Sequence, residues 1–270
     1  MDYLNRHYAP LPEAIWNDLD EATVEAARAS LTARRFLDVD GPYGAGFTAL
    51  TLGDEDGLTN SEAAAGDTYI AATLPVPLLR QPFALSVRRL VAQFEQLQPR
   101  DLGPAEAAAA TLARREDQLI YQGDTRAGLP GLLTVEGRHD IAITDWWQDS
   151  GQTLEDVLSA VDRLDNAGFA GPYALVLAPK LYNSLFRRYD NTPMMRFEHL
   201  RKLCRGGLFK APIETGLLLD QRAAQLLIGM DLSVGYSHGD GAFHHFFLSE
   251  SLVLRIDEPS AICTFSVGGK

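Results

Sequence analysis

From Gly216 to Phe265 the chain carries strand-like runs without a helical period: GLLLD, QLLIGMDLSVGY, AFHHFFLSESLVLRI and SAICTF. Backbone donors and acceptors in such runs must be paired, so each strand needs a neighbour. Earlier strand-like segments stand alone between helical or loop-like stretches: FLDV, FTALTLG and PYALVLAP. The tail must therefore return along the chain and pair with strands laid down much earlier. That requirement sets the class as α+β and rules out a string of independent local units. With 270 residues and no internal repeat, one large domain or two interleaved ones are expected.

Three helices are predicted. The first follows Pro12, with Ile15, Leu19, Ala22, Ala26 and Ser30 at helical spacing beside Trp16, Thr23, Ala27 and Leu31. Its stripe thins to alanine and serine in the second half, a surface suited to close backbone approach. The second runs from Pro104 to Gly123, and the third from Thr153 to Gly168. A further helix is expected in PKLYNSLFRRYD. The acidic, glycine-punctuated DEDGLTNSEAAAGDTY has neither helical nor strand period and reads as an exposed excursion. Its spacing does not fit a calcium loop, because Gly57 at the turn position would make Leu52 the first ligand.

Charge and motifs exclude several functions. A net charge of −12 opposes binding to a phosphate backbone or an anionic bilayer, so neither nucleic acid nor membrane is an expected partner. MDYLNRHYAPLPEAIW has no continuous apolar core, so no secretory signal is expected. Cys204 and Cys263, in no C-x-x-C pattern, read as buried thiols of a cytoplasmic protein. VDGPYGAG (39–46) lacks the lysine and following helix of a phosphate loop. GPY recurs at 171–173, and both copies read as strand-entry turns. In HGDGAFHH, His244 and His245 would face opposite sides of a strand, so surface histidines on a hairpin are expected rather than a metal site. Trp146–Trp147 is expected to pack under a loop. No serine elbow or acid pair marks a catalytic centre.

Several longer stretches, taken in order, resemble the encapsulin shell proteins, the family also described as linocin-type bacteriocins. They are LNRHYAPLPEAIW, RRFLDVDGPYGAG, REDQLIYQG, GLPGLL, GPYALVLAP, RGGLFKAP, LLIGMDLSVGY and FFLSESLVL. LSES stands where many relatives read TET. The resemblance implies a phage major-capsid-like (Hong Kong 97-type) fold and a non-enzymatic subunit that closes into an icosahedral compartment, about sixty copies in the smallest shell. It further implies a discontinuous peripheral domain (1–44, 76–136 and 226–270), an extended loop (45–75) and an axial domain (137–225).

By the same resemblance, a groove for the C-terminal peptide of a cargo enzyme would involve Leu31, Arg34, Phe36, Asp38, Val39, Asp231 and Leu232. Tyr189, Asp190, Asn191 and Thr192 would line a fivefold pore. The cargo would be a dye-decolourising peroxidase or a ferritin-like protein. Some relatives bind flavin beside a tryptophan; here Arg89 takes that place, so no cofactor is expected. The alternative is a phage or prophage capsid packaging DNA. VDGPYGAG would then be a hinge where the chain leaves for a neighbour, so that valine at Gly41 or Gly44 hinders assembly more than folding.

Overall fold

The computed structural model describes residues 3–54, 71–95, 101–143, 147, 150–187 and 195–267. Helix α1 (Glu13–Ser30) starts after Pro12 and buries Ile15, Trp16, Leu19, Thr23 and Ala27. It lies against α3 (Gly103–Gln122), whose packed face is Ala105, Ala108, Ala109, Leu112 and Ala113. Small side chains on both helices let the backbones approach closely, as the thinning stripe of α1 predicts. Arg6 ties the N-terminal segment down through two bonds to Asp20 (2.8 and 2.6 Å) and lies over the Trp16 ring.

Both helices cover a four-stranded sheet in the order β1 (Asp38–Asp40), β11 (Ala224–Gly239), β12 (Phe243–Ile256), β4 (Leu78–Ser86). β1 runs parallel to β11; the other pairs are antiparallel. Phe83, Leu85, Val234, Tyr236, Phe246 and Leu248 turn toward the helices. The two long tail strands find partners about 190 and 165 residues upstream: β1 comes from the FLDV run, as expected, whereas β4 lies in a segment the sequence does not mark as a strand.

A five-stranded sheet has the order β7 (His139–Ile143), β13 (Ile262–Val267), β10 (Gly216–Asp220), β8 (Tyr173–Leu177), β9 (Gly207–Lys210). All residues of β8 and β10 are buried, which is why they read as unbroken apolar runs. Helices α4 (Ser150–Asn166), α5 (Pro179–Ser184) and α6 (Arg196–Leu203) pack around this sheet. Two small ribbons complete the fold, β2 (Ala49–Asp54) with β3 (Ala71–Pro75) and β5 (Gly123–Asp124) with β6 (Leu129–Pro130). Helix α2 (Val87–Glu95) continues directly from β4.

Several expectations need adjusting. β13 joins β7 and β10, so Ile262–Val267 leaves the rest of the 226–270 tail and enters the sheet built mainly from 137–225. The third predicted helix starts three residues earlier than Thr153, and the helix in PKLYNSLFRRYD stops at Ser184. GPY at 171–173 does enter a strand, β8, but Gly41 sits at the exit of β1. Trp147 is fully buried and donates its indole N–H to Asp156 (2.9 Å); Trp146 lies outside the described residues, as do Tyr189, Asp190, Asn191, Thr192 and most of the 45–75 excursion. Both cysteines are buried free thiols, pushed up to about 12 by burial.

Candidate functional site

A cavity of about 330 Å³ opens between the C-terminal half of α1, the turn after it, α3 and the middle of β11. Its apolar lining comes from Val24, Ala27, Leu31, Ala113 and Leu232, and its charged lining from Arg28, Arg34, Arg35, Glu116, Asp231 and Glu250.

The turn is positioned by one buried carboxylate. After α1 ends, Asp117 of α3 accepts hydrogen bonds from Thr32 N (3.0 and 3.2 Å), Thr32 Oγ1 (2.7 Å) and Ala33 N (3.0 Å). The Thr32 hydroxyl also meets Tyr121 Oη at 2.8 Å. These bonds use backbone N–H groups that the start of the 3-10 turn at Ala33–Arg35 would otherwise leave unpaired, and they place Arg34 over the cavity floor. Burial pushes the Asp117 carboxyl above its usual range, against the opposing pull of those donors. Asp117→Asn, which presents an NH₂ to these N–H donors, is expected to cost about 2–3 kcal/mol and lower the thermal unfolding midpoint of the isolated subunit.

Arg34 is the centre of a cluster. Its Nε and Nη2 grip both oxygens of Glu116 at 2.7 and 2.8 Å, Nη2 also reaches Glu250 at 3.3 Å, and Nη1 reaches Asp231 at 3.0 Å. Glu116 is 0% exposed and Glu250 2%, whereas Asp231 is largely exposed. Burial opposes charge on Arg34, but Glu116, Asp231 and Glu250 together hold its proton more tightly than usual. Burial pushes Glu116 up, with Arg34 pulling the other way. Glu250 is raised further, by burial first and then by the Glu116 charge.

β11 supplies its cavity residues from an irregular stretch. Its register with β12 shifts between Ile228 and Met230 and again between Met230 and Ser233, leaving Gly229, Asp231 and Leu232 outside the paired register. Such bulges re-aim side chains that a regular ladder would alternate between faces. Asp231 is held by Leu232 N, which donates to its carboxylate at 3.0 Å.

Of the residues named from sequence, Leu31, Arg34, Asp231 and Leu232 converge on this cavity. Phe36 does not line it: it is buried in the main core, 5.4 Å from the Phe209 ring and 6.4 Å from that of Tyr121. Asp38 and Val39 are exposed on β1, beside Gln225 and Leu226, and Gln225 Nε2 donates to Asp38 at 3.3 Å. Glu116 and Glu250 were not singled out by sequence; only their shared contact with Arg34 marks them.

The histidine-rich tip forms the hairpin between β11 and β12. His245 stacks on His238 (4.4 Å between ring centres) and meets Asp240 at 3.0 Å, while His244 contacts Tyr236. Among the described residues no cluster of three or more histidine, cysteine or acidic side chains is arranged to hold a metal, and no helix is long and apolar enough to cross a membrane.

Comparison with known proteins places this architecture. The linocin M18 family model, described as an encapsulating protein for peroxidase, matches residues 1–253. The type 1 encapsulin shell protein EncA of Myxococcus xanthus is 34% identical over 99% of this chain and 98% of its own. A diheme-cytochrome-encapsulin shell fusion protein of Kuenenia stuttgartiensis is 31% identical, covering 92% of this chain and 72% of its own. Among solved structures, the virus-like particle from Pyrococcus furiosus superposes with a TM-score of 0.72 at 21% identity, over 92% of this chain and 98% of that one. The capsid of the Myoviridae phage XM1 gives a TM-score of 0.62 at 16% identity, over 85% and 89%. The fold is thus the phage-capsid, Hong Kong 97-type fold.

Proposed function

The chain belongs to the linocin M18 family of encapsulin shell proteins, and on that premise we propose that it closes into a cytoplasmic icosahedral compartment whose α1–β11 cavity captures the C-terminal peptide of a cargo enzyme. The observation that carries the cargo reading is the cavity itself. Two pairs from distant parts of the sequence, Leu31 with Arg34 and Asp231 with Leu232, meet around an apolar recess with charged walls. An apolar peptide side chain fits such a recess. Of the five N–H groups of Arg34, the bonds described above use four, so one on Nη1 is left among the described residues to meet a peptide carbonyl.

Asp38 and Val39, exposed along β1, would make a second contact if the peptide continues beside the sheet edge. Phe36 would act from below, by supporting the turn. Modest affinity at each copy suffices, because a closed shell presents many sites to the cargo it surrounds. The family description favours a peroxidase as cargo, and a dye-decolourising peroxidase is the first to test, with a ferritin-like protein second.

The test is co-expression with such a peroxidase, with and without its C-terminal segment. Particles purified from the first should carry peroxidase, and those from the second should not. Val24→Asp combined with Arg28→Glu is expected to cut the co-purified cargo at least about tenfold at unchanged particle yield, since the first puts a charge into the apolar recess and the second reverses one on its wall. Equal loading of the double variant would remove the cavity from the reading. Particles filled with DNA would favour the phage-capsid alternative, against which the net charge of −12 argues.

A further inference from the structure

Three carboxylates surround one guanidinium at the cavity floor, and two of them are sealed from solvent. Glu116 satisfies both its oxygens on Arg34. Glu250 shares only the longer 3.3 Å contact through one oxygen. Its other oxygen, Oε1, is buried and meets no N–H or O–H donor among the described residues. Both carboxylates accept from the same nitrogen, Arg34 Nη2, at 2.8 and 3.3 Å, which sets one oxygen of each side by side. Two ionised carboxylates in such contact, with one shared cation, would leave an uncompensated charge in a dry site. A proton on Glu250 converts the orphan acceptor into a donor toward Glu116 and removes that charge.

Of the charged groups around Glu250, Arg34 is the cation that bonds to it among the described residues. The turn after α1 contributes Arg34, with Arg35 and Arg28 of α1 on the cavity wall; α3 contributes Glu116, with Asp117 beside it; β11 contributes Asp231. β4 places Leu79 opposite Glu250 and adds no charge there. Arg34 already occupies the centre of the cluster, so the spare negative charge is met by a proton rather than by a metal ion.

We propose that Glu116 and Glu250 share one proton beneath Arg34, and that this proton makes the cavity bind its peptide more tightly as the pH falls; the second part rests on the reading of the cavity as a peptide groove. A peptide side chain seated in the recess excludes water from above Arg34 and Asp231, the members of this net negative cluster still open to solvent, and so favours the less charged, protonated form. By linkage, the protonated form favours the peptide equally. Deprotonation also draws Arg34 toward Glu250 and away from Asp231, which dismantles one wall of the recess.

The sign for the subunit alone is the same. Burial raises Glu250 in the folded state, so above the ordinary glutamate value only the folded chain keeps this proton. Its contribution to stability is present in full at low pH. It is lost as pH rises from that ordinary value through the raised folded one.

Two measurements on assembled shells test the two parts separately. The first is infrared absorption of the protonated carboxyl, with no peptide added. A band persisting above about pH 6 in wild-type shells and missing from Glu250→Gln is expected. No such band in the wild type overturns the proton pair, whatever the peptide does. If Glu250→Gln does not assemble, Glu116→Gln serves, because it leaves Glu250 ionised against Arg34 and should also lose the band.

The second is titration with a synthetic peptide carrying the C-terminal residues of the co-expressed peroxidase. Affinity should fall at least about threefold between about pH 6 and pH 8, with a ceiling of about tenfold per unit for one proton, and Glu250→Gln should bind with a flat profile. A wild-type profile as flat as the variant's overturns the linkage. Absence of peptide binding at every pH, with the band present, overturns the groove and leaves the proton pair standing.

Discussion

Gly41→Val is expected to yield no soluble, assembly-competent subunit, while Gly44→Val yields soluble subunit of moderately reduced stability. Both glycines have backbone angles that side chains rarely adopt, with φ of +117° and +99°. Their surroundings differ. A Cβ on Gly41 would sit 2.4 Å from the carbonyl oxygen of Ile228, backbone atoms that cannot yield; a Cβ on Gly44 meets nothing within 4 Å. Gly44→Val therefore costs backbone strain of about 1–2 kcal/mol. Gly41→Val adds the collision and is expected to exceed about 3 kcal/mol, a large share of the roughly 5–15 kcal/mol that holds a domain together.

This revises the hinge reading of VDGPYGAG. The segment is stitched to β11, with Tyr43 N donating to Ile228 O (3.0 Å) and Gly44 N to Gly229 O (2.6 Å). Soluble yield and light scattering of the two variants decide the matter. Folded Gly41→Val subunits that merely fail to assemble would restore the hinge.

Arg34→Glu carries the second large effect. In the sequence Arg34 and Asp38 stand alike, as two charged residues of the same expected groove. In the structure the two are unlike. Arg34→Glu would place four carboxyl groups around a closed floor and strand Glu116 without its partner, at an expected cost of about 3–5 kcal/mol. Particle yield should collapse, and thermal unfolding of any surviving subunit should fall sharply. Arg34→Lys should lie between, since an ammonium cannot span Glu116 in bidentate fashion and still reach Asp231. Asp38→Lys disturbs one exposed 3.3 Å contact and should leave shell formation unchanged. Normal particle counts by electron microscopy for Arg34→Glu would show that the guanidinium does not support the fold.

The parts of the fold readable from sequence are those with a strong period or an unmistakable stop. α1 and α3 announce themselves through Pro12, Pro104 and Gly123, and β8 and β10 through unbroken apolar runs. Helix α2 hides because no turn residue separates it from β4, so FALSVRRLVAQF gives no punctuation where strand becomes helix. α6, RFEHLRKL, is short and highly charged, and β9 is only four residues long. The destination of β13 is a matter of topology, to which SAICTF carries no local clue.

The site lacks such markers. Leu31 and Arg34 follow the end of α1, and Asp231 and Leu232 lie mid-strand in β11; the family resemblance names them, and no local period does. Phe36 lies just beyond Arg34, but the tight turn over Ala33–Arg35 rotates it into the core. Glu116 sits within an ordinary-looking helix and Glu250 within a strand. Separated by so much chain, they acquire meaning only when Arg34 joins them.

The irregular stretch of β11 has a consequence for anyone wishing to retarget this protein to foreign cargo. Ile228 and Gly229 anchor the departing segment at Tyr43 and Gly44, and Asp231 and Leu232, two residues on, line the recess. Re-engineering the recess from the strand side therefore risks loosening the anchor as well. The helix side carries no such double duty: Val24 and Arg28 face the same space from α1, and neither takes part in that anchorage. A library that varies those two positions and leaves 228–232 untouched would explore new specificities without gambling the container.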